Sequence, residues 1–357
     1  MGDSRTTTMT IAEVEDFAFR ILRDNGLAAH QAGPIARAMA VTEAAGSQSH
    51  GLYRLIGYVG SIRSGRVNAL AQPKFERIAG SFMRIDGDNG FAPAAHAVGV
   101  KALIDAAETN GIAALALTNC YHFSALWHDL DPIVSAGLAC WAFTIGQCIV
   151  APHGGTRRLM GTNPIAFGWP REDRRPFVFD FATSSVARGE IELMSRAGKT
   201  LPQGWGVDAS GEPTLDPEAA LAGALLPFGG YKGSALSMMV ELLAGPMIGE
   251  PTSRQAAAID NGDGGPPIGG ELLIAMSPAV FNTGLANNWQ RQAEGFFADA
   301  RTQTGIRLPS DRRHAARQRS EADGISVPNA LLDELRRLSL ADDLRSVPAL
   351  KAGPEST

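Results

Sequence analysis

Short apolar runs, each bounded by glycine, proline or polar residues, recur through the middle of this 357-residue chain. They cover residues 112–118, 139–145, 165–169, 177–182 and 272–275. Continuous apolar runs of this length are typical of strands that are covered on both faces. Helical patterns alternate with only some of them. The sequence therefore predicts an α+β sheet rather than a regular series of βαβ units.

Helical patterns dominate both ends of the chain. Thr10 and Glu13 have the spacing of a capping box and begin an amphipathic segment that extends to about Arg23. A second helix is predicted from about residue 28 to residue 45, and residues 53–64 continue the helical character. Short strand patterns follow at 75–86. Further helices are predicted over 91–110, 234–244, 290–304 and 329–340.

Composition places the chain among ordinary globular proteins, with 45% hydrophobic and 19% charged residues. The net charge of -5 argues against a general attraction to nucleic acid or to an anionic membrane. Cys120, Cys140 and Cys148 lack CxxC spacing and lie in or beside apolar runs, as reduced core cysteines do. No secretory pattern is visible at the start, so we expect a cytoplasmic protein.

The segment Ser49 to Arg54 places a hydroxyl, an imidazole and a guanidinium within six residues. If a helical turn continues through it, His50 and Arg54 lie on one face and can bind the same small ligand. An imidazole transfers protons near neutral pH, and an arginine binds a carboxylate with two parallel hydrogen bonds. This combination indicates a small acid that reacts at its α carbon. A solvated helix end is the alternative.

A glycine turn at residues 229–233 precedes the predicted helix 234–244 and contains Lys232. Free backbone N–H groups, a helix start and a lysine together favour an anion site, with an ordinary turn as an equal alternative. His122 follows the predicted strand 112–118, where it can face a cofactor or pack in a core.

Several other polar residues have two interpretations. Thr162 and Asn163 lie in a turn and either orient a substrate carbonyl or cap the local backbone. Asp180 or Glu190 either orients His50 as the acid of a hydroxyl–imidazole–acid arrangement or is solvated. Metal binding by His122, His128, Asp129 and Asp131 is the rival hypothesis, but their spacing fits no metal motif, so we predict no metal.

Taken in this order, the motifs resemble the malate/L-lactate dehydrogenase family that lacks a Rossmann fold. Segments 122–129, 235–243 and 307–310 are most similar to the Δ1-piperideine-2-carboxylate/Δ1-pyrroline-2-carboxylate reductases of that family. The matching motifs are Ser49-His50-Gly51 with Arg54, Tyr121-His122-Phe123, Gly161-Thr162-Asn163-Pro164, residues 179–184, residues 204–208 with 211–214, and residues 225–233.

The resemblance implies a homodimer that uses NADPH to reduce a cyclic imino acid to L-pipecolate or L-proline. The alternative is an NAD(P)-dependent 2-hydroxy-acid dehydrogenase of malate, lactate or ureidoglycolate type. The implied fold has a mainly antiparallel cofactor-binding sheet domain at residues 79–304. A helical domain formed by both chain ends spans residues 1–78 and 305–345, and residues 346–357 form a tail.

The resemblance also implies roles for individual residues. Ser49, His50 and Glu190 would form a proton relay, and Arg54 and Thr162 would bind the substrate. The implied cofactor contacts are His122, Phe123, Ser124, Ala125, Leu126, Asp180, Phe181, Ala182, Tyr231, Lys232, Ser310, Arg312 and Arg313. Two residues depart from the family pattern, since Glu190 stands where an aspartate is usual and Tyr231 where a histidine is usual.

Overall fold

The computed structural model describes residues 6–172 and 175–340. Its strands are β1 (Thr6–Met9), β2 (Lys74–Ala79), β3 (Phe82–Phe91), β4 (Ile112–Tyr121), β5 (Ala139–Thr144), β6 (Ile165–Trp169), β7 (Phe177–Phe181), β8 (Gly206–Val207), β9 (Ala224–Leu225), β10 (Glu271–Met276) and β11 (Ile325–Pro328). Each of the five predicted apolar runs therefore forms a strand.

Helices surround the strands. They are α1 (Ile11–Asp24), α2 (Ala29–Ala44), α3 (Leu55–Arg63), α4 (Ala92–Asn110), α5 (Leu126–Ser135), α6 (Arg188–Arg196), α7 (Pro217–Ala222), α8 (Tyr231–Leu243), α9 (Ser253–Ala258), α10 (Pro278–Phe281), α11 (Trp289–Arg301), α12 (Asp311–Asp323) and α13 (Asn329–Arg336). The predicted capping box is present, because Thr10 Oγ1 accepts from Glu13 N and Glu13 accepts from Thr10 N.

Seven strands form one sheet in the spatial order β2-β3-β4-β10-β5-β6-β7. β3 and β4 are parallel and are joined by α4, which provides the crossover that parallel neighbours need. The other neighbouring pairs of this sheet are antiparallel. This arrangement confirms the prediction of a mainly antiparallel, non-Rossmann α+β fold.

Both faces of the central strands are covered, which explains why their sequences lack polar alternation. Leu115, Leu117 and Leu273 pack in a core with α4 and α5 on one face. Ala116 and Leu272 point to the other face and pack with α8. A side-chain period of two thus separates the two cores, although every residue involved is apolar.

The two chain ends meet in one helical unit. β1 pairs antiparallel with β11, with Thr6 opposite Pro328 and Met9 opposite Ile325. Side chains from α1, α2 and α3 share a core with β11 and α13. We propose on this packing the division into residues 1–78 plus 305–345 and residues 79–304; the predicted tail at 346–357 lies outside the described residues.

Cys120 and Cys140 are buried, Cys148 is half-buried, and all three are free thiols. No helix within the described ranges has both the length and the apolar character needed to cross a bilayer.

Candidate active site

The loop between α2 and α3 carries His50 and Arg54 on two short 3₁₀ turns, Gln48–His50 and Leu52–Arg54. Gly51 separates these turns with φ −92° and ψ −141°, so the condition of one continuous helical turn through His50 and Arg54 is not met. The two side chains nevertheless lie near each other. Burial is the largest cause of the lowered pKa of His50, and the positive charge of Arg54 is the second.

α2 braces this loop through two buried side chains that sequence reasoning missed. Thr42 Oγ1 lies 3.0 Å from the carbonyl oxygen of His50, and Glu43 Oε1 accepts the Leu52 N–H at 2.8 Å. Burial raises the pKa of Glu43 to about 7, although the Leu52 N–H opposes the rise. Gly51 leaves the space that the Glu43 carboxylate occupies, since a Cβ there would overlap it. The only sequence signal was polar residues within an otherwise apolar helix.

His50 is a neutral imidazole in the ligand-free chain. Burial, the charge of Arg54 and the charge of His122 lower its pKa to about 3. Its Nδ1 lies 3.1 Å from the Ser49 hydroxyl oxygen, as the predicted relay requires. A role as a proton donor near pH 7 therefore needs a ligand that offsets the surrounding positive charge.

Arg54 is a half-buried cation, and the negative charge of Glu192 acts on it from a distance. Its Cζ lies 4.4 Å from the centre of the Phe123 ring, and its Nε is buried without a hydrogen-bond partner among the described residues. No carboxylate within the described ranges forms an ion pair with it. Because a buried unpaired donor of this kind is costly, Arg54 is suited to bind a ligand carboxylate.

His122 lies just beyond β4 with two carboxyl groups beside one ring nitrogen. Its Nε2 is 2.9 Å from Asp129 Oδ2 and 3.6 Å from Glu271 Oε2. Burial lowers the pKa of His122, but the charges of Glu271, Asp129 and Asp180 outweigh this effect and raise it to about 9. Glu271 comes from β10, a distant part of the chain, so no motif spacing revealed it.

The structure brings together only some of the residues of the metal-binding hypothesis. His122 and Asp129 do come together, but His128 instead lies 3.7 Å from Asp131, one helical turn away. The ligating atoms of His122, Asp129 and Glu271 all lie within 4.8 Å of one another.

The segment from His122 to Leu126 connects β4 to α5 and contains a second unsatisfied group. Ser124 Oγ is buried without a partner among the described residues. Asp180, at the end of β7, accepts the N–H of Trp127 at 3.1 Å, and burial raises its pKa to about 6. Ala125 and Leu126 are buried, whereas Phe181 is exposed and Ala182 is half-buried. The 122–126 and 180–182 segments are thus neighbours.

The glycine turn of the predicted anion site leads directly into α8. Gly229 and Gly230 have φ of 57° and 62°, and no side chain caps the helix that begins at Tyr231. Lys232 therefore lies in the first turn of α8, earlier than the predicted start at 234. Both Tyr231 and Lys232 are exposed.

The segment from Ser310 to Arg313 packs on β7. The Ser310 hydroxyl donates to Val178 O at 2.6 Å and accepts from Val178 N at 2.8 Å, so it already has backbone partners. Arg313 also donates to Val178 O and lies over the Trp127 ring. Arg312 is exposed. Of these residues, Arg312 is the most available for a ligand.

Two other predicted site residues are placed differently. Asn163 is fully buried and its amide donates to Ser237 and Glu241 of α8, so these bonds are long-range contacts and neither a local backbone cap nor an exposed ligand contact. Thr162 is half-buried beside Gly146, and its carbonyl accepts from Thr183 N. Glu190 is exposed in the first turn of α6, and its carboxylate forms no hydrogen bond or ion pair with the described residues. The relay role of Glu190 stays a prediction.

Comparison with known proteins gives a consistent result. The family model for malate/L-lactate dehydrogenase matches residues 9–336. The chain is 58% identical over 330 residues to the Delta(1)-pyrroline-2-carboxylate reductase of Ancylobacter novellus, covering 92% of this chain and 97% of the relative. It is 48% identical to the Delta(1)-pyrroline-2-carboxylate/Delta(1)-piperideine-2-carboxylate reductase of Pseudomonas aeruginosa, covering 92% and 98%.

Solved structures include a similar protein. The delta1-piperideine-2-carboxylate reductase from Pseudomonas syringae pvar. tomato aligns with a TM-score of 0.89 and 40% sequence identity. The alignment covers 93% of this chain and the whole of the solved one.

Proposed function

Because this chain belongs to the malate/L-lactate dehydrogenase family and is an oxidoreductase of nicotinamide type, we propose that it reduces a cyclic imino acid with NADPH. The substrates are Δ1-pyrroline-2-carboxylate and Δ1-piperideine-2-carboxylate, and the products are L-proline and L-pipecolate. One observation carries the proposal: the unpaired guanidinium of Arg54 lies beside the neutral imidazole of His50. The names of the similar reductases support the same substrate class.

Arg54 binds the single carboxylate of the substrate. Its Nε is buried and unsatisfied, and a carboxylate is the planar partner that accepts two of its hydrogen bonds. The Phe123 ring under the guanidinium provides an apolar surface for a small ring. Thr162 is the second proposed substrate contact. Lys232 and Arg312 are assigned to the cofactor, which leaves no second cation among the motif residues for a distal carboxylate and argues against oxaloacetate.

His50 supplies the proton. Hydride arrives at the imine carbon and a proton reaches the imine nitrogen, so C=N becomes CH–NH. Burial and the positive charges of Arg54 and His122 lower the pKa of His50, and a carboxylate on Arg54 opposes the second of these causes, which favours a protonated His50. Ser49 holds Nδ1 and leaves Nε2 to face the substrate. We retain Glu190 as the proposed acid of the relay, a role that requires α6 to approach His50.

The described residues fit a nicotinamide dinucleotide, which supplies the hydride when bound. The orphaned hydroxyl of Ser124 and the buried Asp180 offer polar partners beside His122. The uncapped start of α8, with two glycines in left-handed conformations, suits phosphate groups. Lys232 and Arg312 are exposed cations that support a preference for the 2′-phosphate of NADPH.

We include in the proposal a cytoplasmic homodimer. Free thiols support a reducing compartment. Exposed Met238 and Leu242 on α8, with Met247 just beyond, form an apolar surface suited to a second copy. Light scattering during size-exclusion chromatography should give twice the mass of one chain.

The decisive experiment assays purified protein and NADPH in parallel against both cyclic imines, pyruvate and oxaloacetate. The imines should have the highest kcat/KM and differ from each other by at most roughly 10–200-fold, since one methylene in an apolar pocket discriminates no better. Chiral chromatography should detect only the L-amino acid. A higher kcat/KM for pyruvate or oxaloacetate would replace the proposal with a 2-hydroxy-acid dehydrogenase.

A further inference from the structure

We propose that Asp129 and Glu271 are positioning residues for His122: together they fix its ring and keep Nε2 protonated, so that Nδ1 is the nitrogen that His122 offers to a ligand. This inference rests on the proposed function, because His122 adjoins the proposed catalytic His50. Neither carboxyl group touches the substrate in this arrangement.

The geometry gives Nε2 a fixed role. It lies 2.9 Å from Asp129 Oδ2, a hydrogen-bond distance, and 3.6 Å from Glu271 Oε2. The side chain of His122 is 7% exposed, that of Asp129 is 5% exposed and that of Glu271 is fully buried. A buried nitrogen between two carboxyl oxygens keeps its hydrogen, and Nδ1 has no partner among the described residues.

No other contact among the described residues explains the burial of the Glu271 carboxyl group. Both of its oxygens are buried and neither accepts or donates a hydrogen bond there. Glu271 lies on β10, in the middle of the seven-stranded sheet, opposite Thr144 and Leu117. Such a position ordinarily favours an apolar residue. A buried carboxyl without a partner is rare in proteins, and its place beside the His122–Asp129 pair is consistent with a role in that pair.

The protonation states of the cluster agree with this geometry. Burial, followed by the charge of Asp129, raises the pKa of Glu271, whereas the charge of His122 lowers it. Burial also raises the pKa of Asp129, but the hydrogen bond with His122 and the charges of His122, His96 and His128 together lower it below its usual value. His122 is therefore a cation held beside two buried carboxyl groups.

Five titratable side chains face His122 from separate elements. Asp129 comes from α5, Glu271 from β10, Asp180 from β7, His96 from α4 and His50 from the loop after α2. His122 in turn lowers the pKa of His50. The carboxyl pair thus influences the proton affinity of the proposed catalytic imidazole through one intermediate ring.

The experiment compares Asp129→Asn, Glu271→Gln and the control Glu250→Gln. Glu250 is another partly buried carboxylate with a raised pKa and accepts a backbone N–H of β4, from Asn119. Nitrogen-15 NMR of labelled histidines should show both nitrogens of His122 protonated at pH 7 in the intact chain. Asp129→Asn should lower the pKa of His122 and reduce kcat about 10- to 100-fold, the loss typical of a charged hydrogen bond.

Glu271→Gln keeps the shape of the side chain but cannot ionise. The pH profile of kcat should therefore change its shape in this variant, whereas Glu250→Gln should keep the profile of the intact chain. Unchanged His122 resonances in Asp129→Asn would overturn the proposal. So would tight binding of Zn²⁺ that Glu271→Gln abolishes, because the three side chains would then be metal ligands.

The proposed function and the proposed role of Asp129 and Glu271 can be refuted independently of each other. The NMR measurement needs no substrate, and kcat can be followed with whichever substrate the intact enzyme prefers. A preference for pyruvate would contradict the imine-reductase function and leave the His122 measurement fully informative.

Discussion

The guanidinium of Arg54 rests on the ring of Phe123, with Cζ 4.4 Å from the ring centre. Phe123 follows β4 and belongs to the proposed cofactor segment, whereas Arg54 comes from the loop after α2. The proposed carboxylate clamp is therefore supported by a residue of the connection between β4 and α5. Substitution of either residue should therefore weaken substrate binding.

Replacing Arg54 with lysine should raise KM for the imino acid at least roughly tenfold. Lysine keeps the charge but lacks the planar fork that binds a carboxylate with two hydrogen bonds. Steady-state kinetics at saturating NADPH measure the effect. Arg63→Lys is the matched control, since Arg63 bonds to Asn25 and to the Leu338 carbonyl instead. An unchanged KM would contradict the assignment of Arg54.

Replacing His50 with asparagine should lower kcat about 10²–10⁴-fold, the usual contribution of a positioned proton donor. The dissociation constant for NADPH, measured by fluorescence, should change little. His30→Asn is the control for loss of an imidazole, because His30 is exposed and its ring bonds to the Ala71 carbonyl instead. A normal kcat in His50→Asn would remove His50 from the mechanism.

Substrate binding should load a proton onto His50. Burial and the charge of Arg54 lower its pKa to about 3, so in the ligand-free chain it should remain neutral from pH 5 to pH 8. A bound carboxylate adds negative charge at Arg54 and must raise the pKa. NMR titration with and without pyrrole-2-carboxylate, a planar unreactive ring acid, measures the shift. A His50 resonance that titrates normally without ligand would refute this account.

Gly57→Ala should weaken substrate binding by moving Phe123. A Cβ at Gly57 would overlap the Phe123 ring and come within 2.9 Å of the Gly264 carbonyl oxygen. We expect a several-fold higher KM and about 1–3 kcal/mol lower stability, the usual cost of overpacking. Gly33→Ala is the control, because that helical glycine has nothing within 4 Å of the added carbon. It should leave KM unchanged and stability equal or slightly higher.

NADPH should be preferred over NADH by roughly 10- to 100-fold in kcat/KM, since a well-placed charge-assisted bond to the 2′-phosphate contributes about 1.5–3 kcal/mol. Lys232→Ala and Arg312→Ala should reduce this ratio without changing kcat/KM for NADH. Lys101→Ala, which removes an exposed lysine paired with Asp105, should preserve it. Equal values for the two cofactors in the intact enzyme would exclude the preference.

The strands of the sheet could be predicted from the sequence because they are buried on both faces. Continuous apolar runs indicate such strands without any tertiary information. The sequence predicted less of the site. The break at Gly51 depends on the Glu43 carboxylate, which occupies the space that a side chain would need. Glu271 lies inside a strand that otherwise reads as apolar, and its proximity to His122 depends on the pairing of β10 with β4. Neither contact leaves a local motif.

The pairing of β1 with β11 has a consequence for synthesis of the protein. Strand β1 is made first, but its partner emerges from the ribosome only after residue 328. Antiparallel pairing across this separation has a high loop-closure cost and forms slowly. The seven-stranded sheet can assemble while translation continues. The helical unit that carries His50 and Arg54 cannot be completed until β11 has been made. The nascent enzyme should therefore acquire activity only after its last strand is released.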